Sequence, residues 1–225
     1  DYIEEFLPAI IINKLNLLPI RKAICNIHFP ENDAIQNNSR KRMVFDEFFL
    51  LQLGIALRKT HVKNFVKGIS HKPDYGIINE FIKLLSFELT KAQQRALSEI
   101  IDDMQSPKPM NRLLQGDVGS GKTVVSIYAL LYAIGSGYQG ALMVPTEILA
   151  RQHYINIKEL IEPLGIKIAL LISDLSKNDY DLIKRDIENG NIDIIVGTHA
   201  LIQSDIKYKK LGLIIMDEEH DTSYK

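Results

Sequence analysis

Eight consecutive residues, Gly116-Asp117-Val118-Gly119-Ser120-Gly121-Lys122-Thr123, leave the surrounding chain little freedom. They fit the spacing G-x-x-x-x-G-K-[ST], in which every fixed position serves to hold phosphate. Glycines let the backbone curl until successive N–H groups point inward and form a concave anion site. The Lys122 ammonium can reach β- and γ-phosphates, and the Thr123 hydroxyl can ligate Mg²⁺. A helix starting directly after the loop adds the positive end of its dipole. Gly116, Asp117, Val118, Gly119, Ser120, Gly121, Lys122 and Thr123 are therefore the candidate cradle for a nucleoside triphosphate such as ATP, with Mg²⁺ as its counter-ion.

The flanks supply the context this spacing requires. Arg112-Leu113-Leu114-Gln115 reads as a short buried strand leading in, and Val124 to Ile134 as an apolar helix leading out, closed by Gly135. Downstream, buried strands are expected at Gly140–Val144, Lys167–Ile172, Ile192–Val196 and Leu211–Met216. Helices are expected from Pro145-Thr146 to about Ile161 and from Asn178 to Asn189, the latter stopped by Gly190. These strands are continuous apolar runs, as expected when helices cover both sheet faces. Strand–helix alternation then gives an α/β fold with a parallel sheet, its strand C-termini lined along one edge where ligands bind. Gly116, Thr146, Thr198 and Asp217 all fall at such ends.

Residues 1–85 show no strand pattern and read as a helical region preceding the α/β lobe of residues 86–225. Leu7-Pro8, Leu18-Pro19 and Phe29-Pro30 punctuate short segments. From Ser39, a candidate cap, Val44, Phe48, Leu51 and Ile55 recur at helical spacing, widened by Phe45 and Phe49. That stripe is expected to pack against a neighbouring domain. Arg58 to Lys72 carries five basic residues and no acidic one, which reads as a solvated loop able to touch a nucleic-acid backbone. Pro73 to Gly76 forms a turn before a helix over 77–85, and Thr90 caps the next helix.

Totals narrow the class further. The chain has 225 residues, 46% of them hydrophobic and 24% charged, which suits a soluble globular protein with a sizeable core. A net charge of −1 argues against coating nucleic acid by bulk charge, so any such contact is local. The single cysteine, Cys25, excludes an internal disulfide and a cysteine metal cluster, in keeping with a reducing compartment. With no long apolar span and no signal-peptide layout, a cytoplasmic protein is expected.

A phosphate loop needs a second half: a positioned metal and a placed water. Asp217 ends the last apolar strand, where its carboxylate can hold the Mg²⁺ that Thr123 meets from the other side. Glu218 follows and can orient or deprotonate the attacking water. His220 can sense nucleotide state or serve as an ordinary hydrogen-bonding histidine.

At this point the motifs resemble a known family. The phosphate loop, Pro145-Thr146-Glu147-Ile148-Leu149-Ala150, Gly197-Thr198-His199-Ala200-Leu201 and Asp217-Glu218-Glu219-His220 are similar to motifs I, Ia, Ib and II of superfamily 2 helicases. The runs Leu89-Thr90-x-Ala92-Gln93-Gln94-Arg95, Met110 to Thr123 and Gly197 to Gln203 resemble the RecG family of bacterial branched-DNA helicases. Ile27-His28-Phe29-Pro30 and Arg42 to Glu47 resemble the segment joining that family's wedge domain to its motor. The ending Asp217 to Lys225 is more similar to primosomal helicases of the PriA family.

The resemblance implies a RecA-like lobe of the P-loop NTPase type, acting in recombination and repair. It implies adenine recognition by Gln93, phosphate and Mg²⁺ contacts by Lys122 and Thr123, and metal and water roles for Asp217 and Glu218. Thr146, Thr198 and His199 become contacts to the backbone of branched or single-stranded DNA. It further implies a wedge domain before residue 1 and a second RecA-like lobe with arginine fingers after residue 225. These 225 residues alone are then expected to bind ATP·Mg²⁺ weakly, hydrolyse it very slowly and unwind nothing. A primosomal helicase fragment and a non-enzymatic nucleotide binder are the alternatives.

Overall fold

A computed structural model describes residues 3–217, the side chains of residues 62–65 excepted. The chain forms two compact units, Asp1–Val66 and Lys67–Lys225.

The first unit contains helices α1 (Ala9–Leu15), α2 (Ile20–His28) and α3 (Asp33–Phe65). Pro8 and Pro19 each stand at a helix N-cap, where a missing N–H costs nothing, so the prolines do punctuate the segments as expected. Ser39 is not a cap. The helix begins six residues earlier because Asn32 Oδ1 accepts the Ile35 N–H at 2.9 Å, while Ser39 is buried within α3 and donates its hydroxyl to the Ile35 carbonyl at 2.8 Å. The basic stretch from Arg58 is helical as far as Phe65, not a loop throughout.

The stripe Val44, Phe48, Leu51 and Ile55 is exposed, and the buried positions of α3 are Ser39, Arg42 and Asp46. The buried face carries an ion network. Arg42 is fully buried; its Nε donates to both Asp46 oxygens at 2.8 and 3.0 Å. Its Nη1 reaches Glu5 Oε2 at 3.1 Å and the Leu18 carbonyl at 2.8 Å, and Nη2 reaches Glu5 Oε1 at 2.6 Å. Glu5 in turn accepts the N–H groups of Leu7 and Ile20. One guanidinium thus fastens the N-terminal segment, the α1–α2 connection and α3 together.

The second unit contains α4 (Gly76–Leu84), α5 (Lys91–Gln105), α6 (Lys122–Gly135), β1 (Gln139–Met143), α7 (Glu147–Ile161), β2 (Ile168–Leu171), α8 (Lys177–Asn189), β3 (Ile194–Gly197) and β4 (Leu211–Met216). The four strands form one parallel sheet in the order β2-β3-β1-β4. Alternating side chains feed two cores. Leu142, Ile194 and Val196 pack with α4–α7, whereas Ala141, Met143 and Ile195 pack with Ile187 of α8 and Leu201. β1 and β3 are buried at every position, as continuous apolar runs require. Gly190 ends α8 in the left-handed region (φ 73°).

Two further expectations differ from the structure. The units part at Val66 and Lys67 rather than at residue 85, because Ile78 and Phe81 of α4 are buried in the core of the α/β unit. Arg112–Gln115 is not a strand. A strand needs a ladder partner, and here Arg112 is drawn to α5 instead, with Nη1 2.7 Å from Glu99 and Nη2 2.8 Å from Asp103, while Leu113 is 87% exposed. Among the described residues the outer edge of β4 accordingly has no strand partner.

The Arg42 network sets an expectation for stability. Arg42→Ala leaves the Glu5 and Asp46 carboxylates without their cation and should destabilise the first unit by about 3–5 kcal/mol. Hydrogen bonding to Arg42, outweighing burial, holds the Glu5 carboxyl at about 2 instead of its ordinary 4.5. Because the folded value is lowered, this stabilisation is complete above pH 4.5 and is lost as pH falls toward 2. Hydrogen exchange of α2 and α3 amides should accelerate across that window in the wild type and lose the dependence in Glu5→Gln.

Candidate nucleotide site

The strand ends are level. Leu171 pairs with Gly197, Gly197 with Met143, and Met143 with Met216, so β2, β3, β1 and β4 terminate along one line. The Val144 N–H donates to the Gly197 carbonyl at 2.9 Å and the Asp217 N–H to the Met143 carbonyl at 2.8 Å. Asp217 is thereby delivered to the sheet edge by the β1–β4 ladder. It lines a cavity of about 730 Å³ together with Lys122 and Ser126 of α6. Asp217 and Lys122, 95 residues apart in sequence, share one opening.

The loop has the curled geometry its glycines allow. Gly119 and Gly121 lie at φ 81° and 82°, a region costly for residues with a Cβ. A Cβ on Gly121 would also collide with the Gln93 amide nitrogen, and one on Gly116 would come within 2.7 Å of Ser120 Oγ. Val118 is 98% exposed and so contributes backbone rather than packing. α6 starts at Lys122 with no side-chain cap, leaving its leading N–H groups directed at the loop. Lys122 Nζ donates to the carbonyls of Gly116 at 2.7 Å and Asp117 at 3.1 Å, folding the ammonium over the nest. Thr123 is exposed at the first turn of the same helix.

Gln93 is bonded within the protein. Its Oε1 accepts the Thr90 N–H at 2.8 Å, completing a capping box with the Thr90 hydroxyl, and its Nε2 donates to the Ser120 carbonyl at 2.9 Å. Both ends of the amide are engaged, one in starting α5 and the other in bracing the phosphate loop. Sequence spacing shows the cap at Thr90 but not the bond to a loop 27 residues away.

The proposed nucleic-acid contacts sit on the same edge. Thr146 caps α7, is exposed, and accepts the Leu149 N–H at 3.4 Å. His199 is exposed at the start of a short 3₁₀ turn. Thr198 is only 8% exposed, so its hydroxyl faces protein more than solvent. Glu218 and the rest of the primosomal-like ending lie outside the described residues.

One residue escaped sequence reading. His153, on α7, places Nε2 3.0 Å from Asp217 Oδ2. A histidine two helical turns inside an amphipathic helix gives no signal of its own; only the fold brings it to a residue 64 positions later. Further along the cavity wall, burial pulls the His71 imidazole below its ordinary value against an opposing bond to the Met104 carbonyl.

A parallel sheet with a glycine nest, a lysine folded over it and an acidic strand end is the layout of a nucleotide-binding lobe. The chain belongs to the DEAD/DEAH box helicase family, which it matches over residues 90–225. It is similar to the ATP-dependent DNA helicase RecG of Thermotoga maritima, at 47% identity over 97% of this chain and 28% of that protein. RecG of Bacillus subtilis is 45% identical over 98% of this chain and 32% of its own length. A solved structure of RecG bound to a three-way DNA junction superposes with a TM-score of 0.85 at 45% identity, covering all of this chain and 30% of that one. The fold is therefore a RecA-like helicase lobe, and the chain spans about a third or less of the length of these relatives. The RecG resemblance extends over nearly the whole chain and is supported over the primosomal alternative. Among the described residues no helix is long and apolar enough to cross a membrane.

Gln93→Glu separates the two tasks of that side chain. The carboxylate still accepts from Thr90, so the melting temperature should shift by little, within about 0.5 kcal/mol of stability. It cannot donate to the Ser120 carbonyl, so the loop loses its brace and nucleotide affinity should fall several-fold. Paired melting and fluorescent-ADP titrations check both halves.

Proposed function

We propose that the chain is the ATP-binding lobe of a RecG-like helicase acting on branched DNA in recombination and repair. The single observation that carries this reading is the shared cavity of Lys122 and Asp217 beside an uncapped helix and a glycine nest. The residues fit the ligand: the nest offers N–H groups to phosphate oxygens, and the one cation folded over it is on a flexible stem. Thr123 and Asp217 would hold Mg²⁺, which when bound neutralises charge on the β- and γ-phosphates. Lys122 exchanges its loop carbonyls for phosphate oxygens. Glu218 orients the attacking water, and Gln93 keeps the loop seated while meeting the adenine end. Cavity walls from Leu213, Ile215 and Val125 limit water around the site.

The RecG relative whose structure was solved is bound to a three-way junction, and the level strand ends suggest how this lobe meets such DNA. Thr146 and His199, at the ends of neighbouring strands, would contact phosphates without reading bases, with Thr198 at the start of the 3₁₀ turn that carries His199. Turnover by the 225 residues alone should be very slow, since charge stabilisation by an arginine finger is worth roughly 10³–10⁵ in rate. A partner lobe would supply it.

Two measurements test this. Lys122→Ala should weaken ATP·Mg²⁺ binding about 10- to 100-fold, the value of one charge-assisted contact, without changing the melting temperature of the unliganded protein. A steady-state ATPase assay with a three-way junction should show turnover far below one cycle per second. DNA-stimulated turnover at several cycles per second would contradict the single-lobe reading.

A further inference from the structure

Among the described residues His153 contacts the Asp217 carboxylate, and Asp217 is 37% exposed at a strand end. A carboxylate in that position turns freely about its side-chain bonds unless something fixes it. His153 is well placed to do so, because it is anchored: Ala150 and Ile157, on the same face of α7, are fully buried against the sheet. The helix is further tied at its start, where Glu147 accepts the Ser173 N–H at 3.0 Å and Arg151 pairs with Asp174 at 3.0 Å.

The chemistry sets the direction of the bond. An ionised carboxylate only accepts, so Nε2 carries the hydrogen. Nδ1 is buried and has no partner among the described residues, which suits a bare ring nitrogen and would penalise a second N–H. Nε2 thus donates to Asp217 Oδ2 and leaves Oδ1 for other work.

We propose that His153 is a positioning residue for the metal site: it donates to Asp217 Oδ2 and thereby presents the remaining oxygen to the divalent cation beside the nucleotide. This rests on the nucleotide reading given above. Carboxylates that ligate metals are themselves held by hydrogen bonds, and losing such a holder typically costs 10- to 100-fold in metal affinity. The same helix begins at Thr146, so His153 also connects the proposed DNA-facing cap to the metal carboxylate through a rigid two-turn span.

The test is a titration of Mg²⁺ into the full 225-residue chain with fluorescent ADP, compared with binding in EDTA. For His153→Ala, the Mg²⁺ concentration giving half of the metal-dependent tightening should rise by about 10- to 100-fold. Nucleotide affinity in EDTA and the melting temperature should stay at wild-type values. His153→Gln, whose amide nitrogen can reach the same oxygen, should recover most of the Mg²⁺ response, and His153→Leu should not. An unchanged Mg²⁺ midpoint in His153→Ala overturns the proposal. So does an equal loss in EDTA, or failure of the glutamine variant to recover while its melting temperature is normal, since either outcome marks a packing role. If wild-type protein binds ADP in neither buffer, the nucleotide reading itself fails and this inference with it.

Discussion

Four parallel strands ending at Leu171, Gly197, Met143 and Met216 share a register, and the functional groups of the second unit take their places from it. A parallel ladder fixes each strand against its neighbour, so a residue one step past a strand end has a defined height above the sheet. Asp217 acquires its position this way, through its N–H bond to Met143, and Thr146 and Thr198 acquire theirs from the adjoining strands. A slip of one residue between β1 and β4 would turn Asp217 to the other face of the sheet and take Leu213 out of the core it shares with α6, which makes the slip costly.

The phosphate loop is held by a separate device. It is a coil between α5 and α6, and its firmness comes from Gln93 on one side and Lys122 on the other. Both are polar contacts that a ligand can rearrange: the lysine has phosphate oxygens to move to, whereas Gln93 remains tied to the start of α5. An anion site built from backbone N–H groups and one mobile cation binds phosphate irrespective of what carries it. For a nucleotide bound there, discrimination by base would come from groups around the loop.

Much of this was legible from sequence because it is local. Glycine spacing, the cap at Thr90, the stop at Gly190 and the apolar runs of β1–β4 depend on neighbours within a few residues. The exceptions share one cause. Arg112–Gln115 has strand-like composition, yet a strand exists only beside an edge, and Arg112 finds Glu99 and Asp103 instead. Ser39 looks like a cap until Asn32 takes that part. α4 looks like one more helix of the N-terminal region, and only Ile78 and Phe81 reveal which core it joins. In α3 the spacing marks the apolar stripe but not the buried face closed by Arg42. His153 and the loop-bracing bond of Gln93 are tertiary facts with no local trace.

The claim on which the account turns is that one divalent cation lies between the first turn of α6 and the end of β4 when nucleotide is bound. Crystals grown with Mn²⁺ and a non-hydrolysable ATP analogue, measured at a wavelength where manganese scatters anomalously, test it directly. The account predicts a single anomalous peak within coordination distance of the Thr123 hydroxyl, an Asp217 oxygen and the β- and γ-phosphates. A nucleotide seated in the loop with its manganese remote from Asp217 would contradict it.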